Sequence, residues 1–394
     1  MPRRHLPPLL RFILGRLVSS AVVLLILVTL SFFLMRFAPG GPFDSDKKLP
    51  PTVEANKWMK FKMGVAVEAP VAGTISDLAA VTSKVTELNE GDRLMVLTPK
   101  DGGPAIPIGT PYSGTIVSLN VRNGDQVPAG ATLAIVPKPA LSQYLDAIGG
   151  YLTLDFGVTF SSDGARTVNE ELLRALPISL QLGGMALIFA LLLGVPAGLI
   201  AGARHNTWVD HGMMTTAMLG VSVPTMVSGP IMIAIFSLGL GLFPPGGWES
   251  SSPEWSTWQH RILPVITLGL AYVPTIARLT RGGMLEVSRS DWIRTARAKG
   301  LSESLVIRRH AFRGAILPTV SWLGPGLASI VTGSVIVETV YRIPGLAENF
   351  VKPALNRDYP MVIGVVVVYA AILILMNLIV DIAYTFLDPR VGLE

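Results

Sequence analysis

The chain has 394 residues, half of them hydrophobic, a mean hydropathy of +0.52 and 15% charged side chains. Soluble domains carry about a quarter of charged residues, so much of this surface faces something other than water. The net charge of +5 does not point to nucleic acid, because the basic residues flank apolar runs; the lack of cysteine excludes disulfides, thiolate metal sites and cysteine nucleophiles.

The first apolar run extends from Phe12 to Phe37, behind Arg3, Arg4 and Arg11, with Arg16 near its start. It is longer than the core of a cleaved leader, and no small-residue cleavage site precedes Ala38-Pro39-Gly40-Gly41-Pro42, so a retained helix is expected. Further runs at about 178–202, 212–242, 262–280, 314–338 and 361–387 bring the expected spans to six. Each approaches the ~20 apolar residues needed to cross a hydrocarbon core of ~30 Å. The expected fold is an all-α polytopic membrane protein with six transmembrane helices and a small all-β insertion.

Lys and Arg in short loops set orientation. With the N-terminus inside, the cytoplasmic side holds the N-terminal arginines, Arg204, Arg390 and a block running from Arg278 and Arg281 to Arg309 and Arg313. The other side carries the thinner set Arg36, Arg174, Arg261, Arg342, Lys352 and Arg357. Both termini are therefore expected inside, and the segment between the first two spans outside.

That segment is far longer than a helix connection of 2–8 residues requires. Residues 65–137 are rich in Gly, Val and Thr, with alternating runs such as Gly114-Thr115-Ile116-Val117-Ser118-Leu119. They also repeat. Pro70-Val71-Ala72-Gly73-Thr74-Ile75 returns as Pro111-Tyr112-Ser113-Gly114-Thr115-Ile116, and Leu88-Asn89-Glu90-Gly91-Asp92-Arg93-Leu94 as Val127-Pro128-Ala129-Gly130-Ala131-Thr132-Leu133. Two hairpin-rich halves, each too small to bury a core alone, suggest a barrel of pseudo-twofold symmetry. The chain divides into 1–64, the first span and the start of an exported segment; 65–137, the β-domain; and 138–394, a helical core with a cytoplasmic loop at 281–313.

Within that loop, Asp291-Trp292-Ile293-Arg294-Thr295-Ala296-Arg297-Ala298-Lys299-Gly300-Leu301, followed by Arg309-His310-Ala311-Phe312-Arg313 and Ile316-Leu317-Pro318, resembles the coupling loop of ABC-importer permeases of the dipeptide and oligopeptide group. Arg36 to Pro42, Leu49-Pro50-Pro51, Val337-Glu338-Thr339-Val340, Ile343-Pro344-Gly345-Leu346, Leu355 to Pro360 and Asp388-Pro389-Arg390 are similar to the same group. The wider family opens its loop with Glu-Ala-Ala, where this chain has Arg294-Thr295-Ala296. The resemblance implies a second homologous permease, two ATP-binding ATPase subunits, an exported binding protein and a peptide substrate, in a bacterial inner membrane. No cofactor is implied, and hydrolysis belongs to a partner, since Gly40-Gly41 and Gly246-Gly247 lack the Lys of a phosphate-binding loop.

A coupling helix must dock in a cleft of a moving partner. Ala296, Ala298 and Gly300 offer small surface for close approach, and Arg294, Arg297 and Lys299 offer salt-bridge donors. Hydroxyls inside the spans mark a candidate translocation path: Ser222, Thr225 and Ser228 around Pro224, then Ser329, Thr332 and Ser334. Asn377, Asp381 and Tyr384 share a helical face and suit either packing or function.

The repeated β-domain also resembles barrel-sandwich domains that carry lipoyl or biotinyl groups, with Lys62-Met63 shortly before Ala69-Pro70-Val71-Ala72-Gly73. A biotin- or lipoyl-carrying subunit of a membrane decarboxylase is the rival class. Against it stand the expected exported location and the absence of a carboxyl-transfer motif. The domain is expected either to help a binding protein dock, through turns Asn120–Asp125 and Lys100–Gly103, or to be a tolerated insertion.

Overall fold

The computed structural model describes residues 8–37, 51–78, 87–161, 165–249 and 254–387. The motif residues Ala38–Pro42, Leu49, Pro50 and Asp388–Arg390 lie outside them. Helices α1 (Pro8–Phe37) and α2 (Pro51–Lys60) precede nine strands. The rest is helical: α3 (Ala140–Leu152), α4 (Val168–Ala203), α5 (Trp208–Ser222), α6 (Thr225–Met232), α7 (Thr257–Leu270), α8 (Val273–Ser288), α9 (Asp291–Ala298), α10 (Glu303–Leu305), α11 (Phe312–Ala315), α12 (Leu317–Tyr341), α13 (Glu348–Leu355) and α14 (Tyr359–Leu387). Two π-helical stretches, Ile233–Gly239 and Val306–Ala311, continue α6 and α10.

Among the described residues three helices are long and apolar enough to cross a membrane, over Gly15–Arg36, Val168–Ala203 and Tyr359–Ile379. The count becomes five if the bent pairs α5–α6 and α7–α8 each make one span. Two of the expected continuous runs are thus broken, the first for a local reason. Pro224 cannot donate a backbone hydrogen bond and pushes Val223 into an extended conformation, φ −114° and ψ 120°, which separates α5 from α6. The α7–α8 break bends by 49° at Ala271 and Tyr272.

The chain forms two compact units: Thr29–Glu171 with Pro353–Gly364, and the remainder. In the first lie β1 (Gly64–Glu68), β2 (Gly73–Ser76), β3 (Glu87–Leu88), β4 (Arg93–Pro99), β5 (Ile106–Gly109), β6 (Gly114–Thr115), β7 (Ser118–Leu119), β8 (Gln126–Val127) and β9 (Thr132–Pro137). All pairing is antiparallel, and it follows the internal repeat reciprocally. Within the first half β2 pairs β4, and within the second β7, which follows the counterpart of β2, pairs β9. Across the halves, β1 pairs β9 as β5 pairs β4, and β2 pairs β8 as β6 pairs β3. The turn bonds match too: Gly130 N–H donates to Ala69 O at 2.8 Å and Gly91 N–H to Thr110 O at 3.0 Å. Equivalent positions fill one core: Val67 with Ile108, Ile75 with Ile116, Leu94 with Leu133, Leu97 with Val136.

The second unit packs through small residues. Gly194, Gly198 and Gly202 recur every fourth residue on α4 and face α8; a Cβ on Gly198 would stand 2.4 Å from Ala277 O, and one on Gly202 2.6 Å from the Met284 Cβ. Without side chains on that stripe the two backbones approach closely, the usual device where lipid supplies no hydrophobic drive between helices. A second cluster joins Leu182, Leu263, Leu268, Ile330, Val337 and Tyr341 of α4, α7 and α12. The Tyr341 and Thr267 hydroxyls meet at its centre, 2.8 Å apart.

Candidate coupling site

α9 is an eight-residue helix whose two sides do different work. It starts after Ser290, whose hydroxyl donates to Val287 O at 2.6 Å and ties the new helix to the last turn of α8. Asp291 places a carboxylate in the first turn, where the helix dipole favours it. Ile293 and Ala296, three residues apart, turn inward onto Met284, Val287, Val306, Ala311 and Ala315. Beneath them α8 and α11 touch backbone to backbone: a Cβ on Gly283 would stand 2.3 Å from Ala315 O. The helix therefore stands on a stiff platform of its own chain.

α9 ends in a Schellman motif. Gly300 N–H donates to Arg297 O at 2.9 Å and Leu301 N–H to Ala296 O at 3.4 Å, with Gly300 at φ +77°. Leu301 then packs against the inner cluster, the hydrophobic contact that accompanies such an ending. Asp291, Trp292, Arg294, Thr295, Arg297, Ala298, Lys299 and Gly300 remain exposed.

This placement redistributes the roles expected from the sequence. Ala296 is small because it is buried in its own core, and Gly300 is glycine because its backbone is left-handed, with open space around it. Of the three small residues, Ala298 is the one exposed on the helix itself. Arg297 is held by Glu303, Nη2 to Oε1 at 2.7 Å and Nε to Oε2 at 3.1 Å. That pair raises the guanidinium's pKa and lowers the carboxyl's, the hydrogen bonds being the main cause in both. Arg294 lies 3.7 Å from Asp291, with both side chains largely in solvent. Trp292 was not singled out by sequence, yet its indole is 58% exposed on the outward face. A large aromatic at a position out of phase with Ile293 and Ala296 is the signal that could have found it.

A buried ion pair holds the platform from the other side. Arg281 of α8 grips Asp210 of α5 with Nε and Nη2, both at 2.6 Å, while Asp210 also accepts from Asn206 N–H at 2.9 Å. Asp210 is almost wholly buried, so removing Arg281 strands its charge.

The described candidate path residues are each engaged in bonds of their own surroundings. Ser222 is exposed and donates to Met218 O at 3.0 Å, and Ser228 donates to Thr225 O at 3.5 Å, both back-bonds within the local helix. Ser329 is exposed and receives the Tyr272 hydroxyl on its carbonyl at 2.8 Å. Ser334 is buried beside Glu338 of the same helix. The side chains of Thr332, Asp381 and Tyr384 lie outside the described ones. Glu338 explains the adjoining motif: its Oε2 accepts Ala347 N–H at 2.9 Å, and Ser179 Oγ accepts Leu346 N–H at 2.8 Å. A Cβ on Gly345 would come within 2.4 Å of that carboxylate, so the Ile343-Pro344-Gly345-Leu346 turn closes only around glycine.

A family model described as "Binding-protein-dependent transport system inner membrane component" matches residues 194–393, which include α8, α9 and their platform. The oligopeptide transport system permease protein OppB of Haemophilus influenzae is 36% identical over 383 residues, covering 97% of this chain and 99% of the relative. OppB of Salmonella typhimurium is 34% identical over the same shares, and the dipeptide permease DppB of Bacillus subtilis is 40% identical over 65% of this chain and 80% of its own length. The inward-facing methionine ABC transporter MetNI aligns over 55% of this chain and 96% of its own, with 17% identity and a TM-score of 0.47. The chain belongs to the binding-protein-dependent inner-membrane transport components, as a homologue of the oligopeptide and dipeptide permease subunits.

Proposed function

We propose that this chain is the membrane-spanning permease subunit of a peptide importer. It works beside a second homologous permease, two ATPase subunits and an exported binding protein that delivers the peptide. The observation that carries the reading is the full-length likeness to OppB together with a short helix, α9, fixed by one face and presenting the other. Trp292, Thr295, Ala298 and Lys299 supply the docking surface, while Ile293 and Ala296 carry the partner's stroke into α8. Movement of α8 then switches the bundle between inward- and outward-open forms.

In this reading the chain crosses the membrane six times with both termini in the cytoplasm, α12 supplying the remaining span. Residues 65–137 form an inserted, barrel-sandwich-like domain on the outer side that helps the binding protein dock. The reciprocal strand pairing of the two halves supports the barrel-sandwich likeness; the family likeness argues against a carrier role for Lys62.

The test is Ala298→Arg in the reconstituted transporter. Its side chain is exposed, so folding and insertion should be unchanged, while binding-protein-stimulated ATP hydrolysis and peptide uptake fall on the order of tenfold because a bulky charge blocks close docking. Wild-type uptake by this variant would remove α9 from the coupling interface. Orientation is checked by single-cysteine labelling, clean because the native chain has no cysteine. Cysteine at the exposed Arg122 should react with an impermeant reagent in intact cells and cysteine at the exposed Ser302 should not.

A further inference from the structure

In the first compact unit a cavity of about 750 Å³ opens between the ends of two membrane-crossing helices. Phe32 and Arg36 come from the last turns of the span Gly15–Arg36, and Tyr359, Pro360 and Ile363 from the first turns of the span Tyr359–Ile379. The cavity thus sits at the boundary of the hydrocarbon, where lipid head groups lie. Its walls are aromatic, from Phe61, Tyr151, Phe156 and Phe160 as well as Phe32 and Tyr359. Its charged groups are Arg36, Lys60 and Lys62 against Asp146 and Asp155. Asp146 is already paired with Lys138 at 3.1 Å, and Asp155 accepts Gly157 N–H at 2.9 Å.

Arg36 is placed with care. Its guanidinium lies 4.0 Å from the centre of the Phe32 ring and 5.6 Å from that of Tyr359, and one of its donors goes to Gln143 Oε1. A planar cation fixed between two rings keeps its remaining donors directed and matches the geometry of a phosphate. Burial raises the pKa of Tyr151 to about 12, against the opposing pull of Arg36, so its hydroxyl stays protonated as a further donor.

We propose that this cavity seats the phosphodiester head group of an anionic membrane phospholipid, with Arg36 and Lys62 on the phosphate and the acyl chains leaving into the hydrocarbon beside Phe32. Basic pockets between membrane helices take lipid head groups by this chemistry, and a volume of several hundred Å³ suits such a ligand. The site does not depend on what is transported. It ties α1 to α14 through a component of the membrane itself.

The test uses the full chain in its complete transporter, solubilised in neutral detergent and read by native mass spectrometry. Dihexanoyl phosphatidylglycerol, inorganic phosphate and a tripeptide are titrated separately. The wild type should retain the lipid alone, with apparent affinity about tenfold lower in Arg36→Gln and a few-fold lower in Lys62→Glu. Lys62 is exposed, so its variant decides the matter should Arg36→Gln fail to assemble. Equal lipid binding by wild type and variants would overturn the site. Retention of phosphate at the same concentration, or of the tripeptide instead of lipid, would overturn the lipid as its occupant.

Discussion

In the β segment, large side chains come in matched pairs: Ile75, Leu94 and Leu97 of one half answer Ile116, Leu133 and Val136 of the other. In the helical unit the decisive positions carry no side chain at all: Gly194, Gly198 and Gly202 let α4 meet α8, and Gly283 lets α8 meet α11. The first region is fixed by filling a volume and the second by excluding one. A volume tolerates small errors, because neighbours relax; a backbone contact does not. A helix that passes force, as proposed for α9, needs contacts that cannot yield, and α9 stands on such contacts.

The sharpest way to break this comparison is Ala296→Arg, which drives a charge into the cluster around Met284 and Ala311. A loss of about 4 kcal/mol or failure to fold is expected, measured as thermal unfolding in detergent. Survival with native stability would mean that Ala296 faces outward after all. Next comes Gly198→Leu, expected to cost about 3 kcal/mol because its Cβ meets the Ala277 carbonyl. A matched change in the β core, Ile116→Val, should cost about 1 kcal/mol in the same assay.

The reciprocity of the halves is tested by Gly91→Ala and Gly130→Ala. Both glycines have positive φ, +85° and +79°, with open space around them, so each substitution should cost about 1 kcal/mol and by similar amounts. Unequal losses would show that the two turns are not equivalent.

The smallest effect concerns Arg297 and Glu303. The pair holds the Glu303 carboxyl below its ordinary value of 4.5, so its contribution is present at neutral pH and fades as the pH falls below that value. Both side chains are about half exposed, and solvent limits the pair to under about 1 kcal/mol. Glu303→Gln should remove that pH dependence and release Arg297 for a partner. An unaltered acid profile would show that the pair adds nothing to stability.

The sequence announced the β segment well, because repetition survives in linear order: Pro70 to Ile75 and Pro111 to Ile116 are visible without structure. The exchange of strands between halves was not visible, since antiparallel pairing leaves no mark that tells a neighbour in one half from its twin. Apolar runs located the helices but not the break at Pro224, because hydropathy averages across a proline that geometry cannot ignore. At the candidate coupling site the helix was legible and its inner logic was not. Alanine and glycine read alike as small, whereas Ala296 is small for burial, Gly300 for its backbone and Ala298 for its open surface. Only the phase of Ile293 and Ala296 separates these, and eight residues give that phase little weight.

The reciprocal turns at Gly91 and Gly130 have one further consequence. Each strand pairing that joins one half of the β segment to the other has a counterpart, so the Lys100–Ala105 connection is a tether between two equivalent pieces. Without it the same pairing describes a domain-swapped homodimer, two copies of one short chain each completing the other's sheets. Such a half expressed alone should associate in pairs, since neither copy can close its own core. A gene that doubled such a piece would have turned an encounter between molecules into a fold within one, with loop length as the only new requirement.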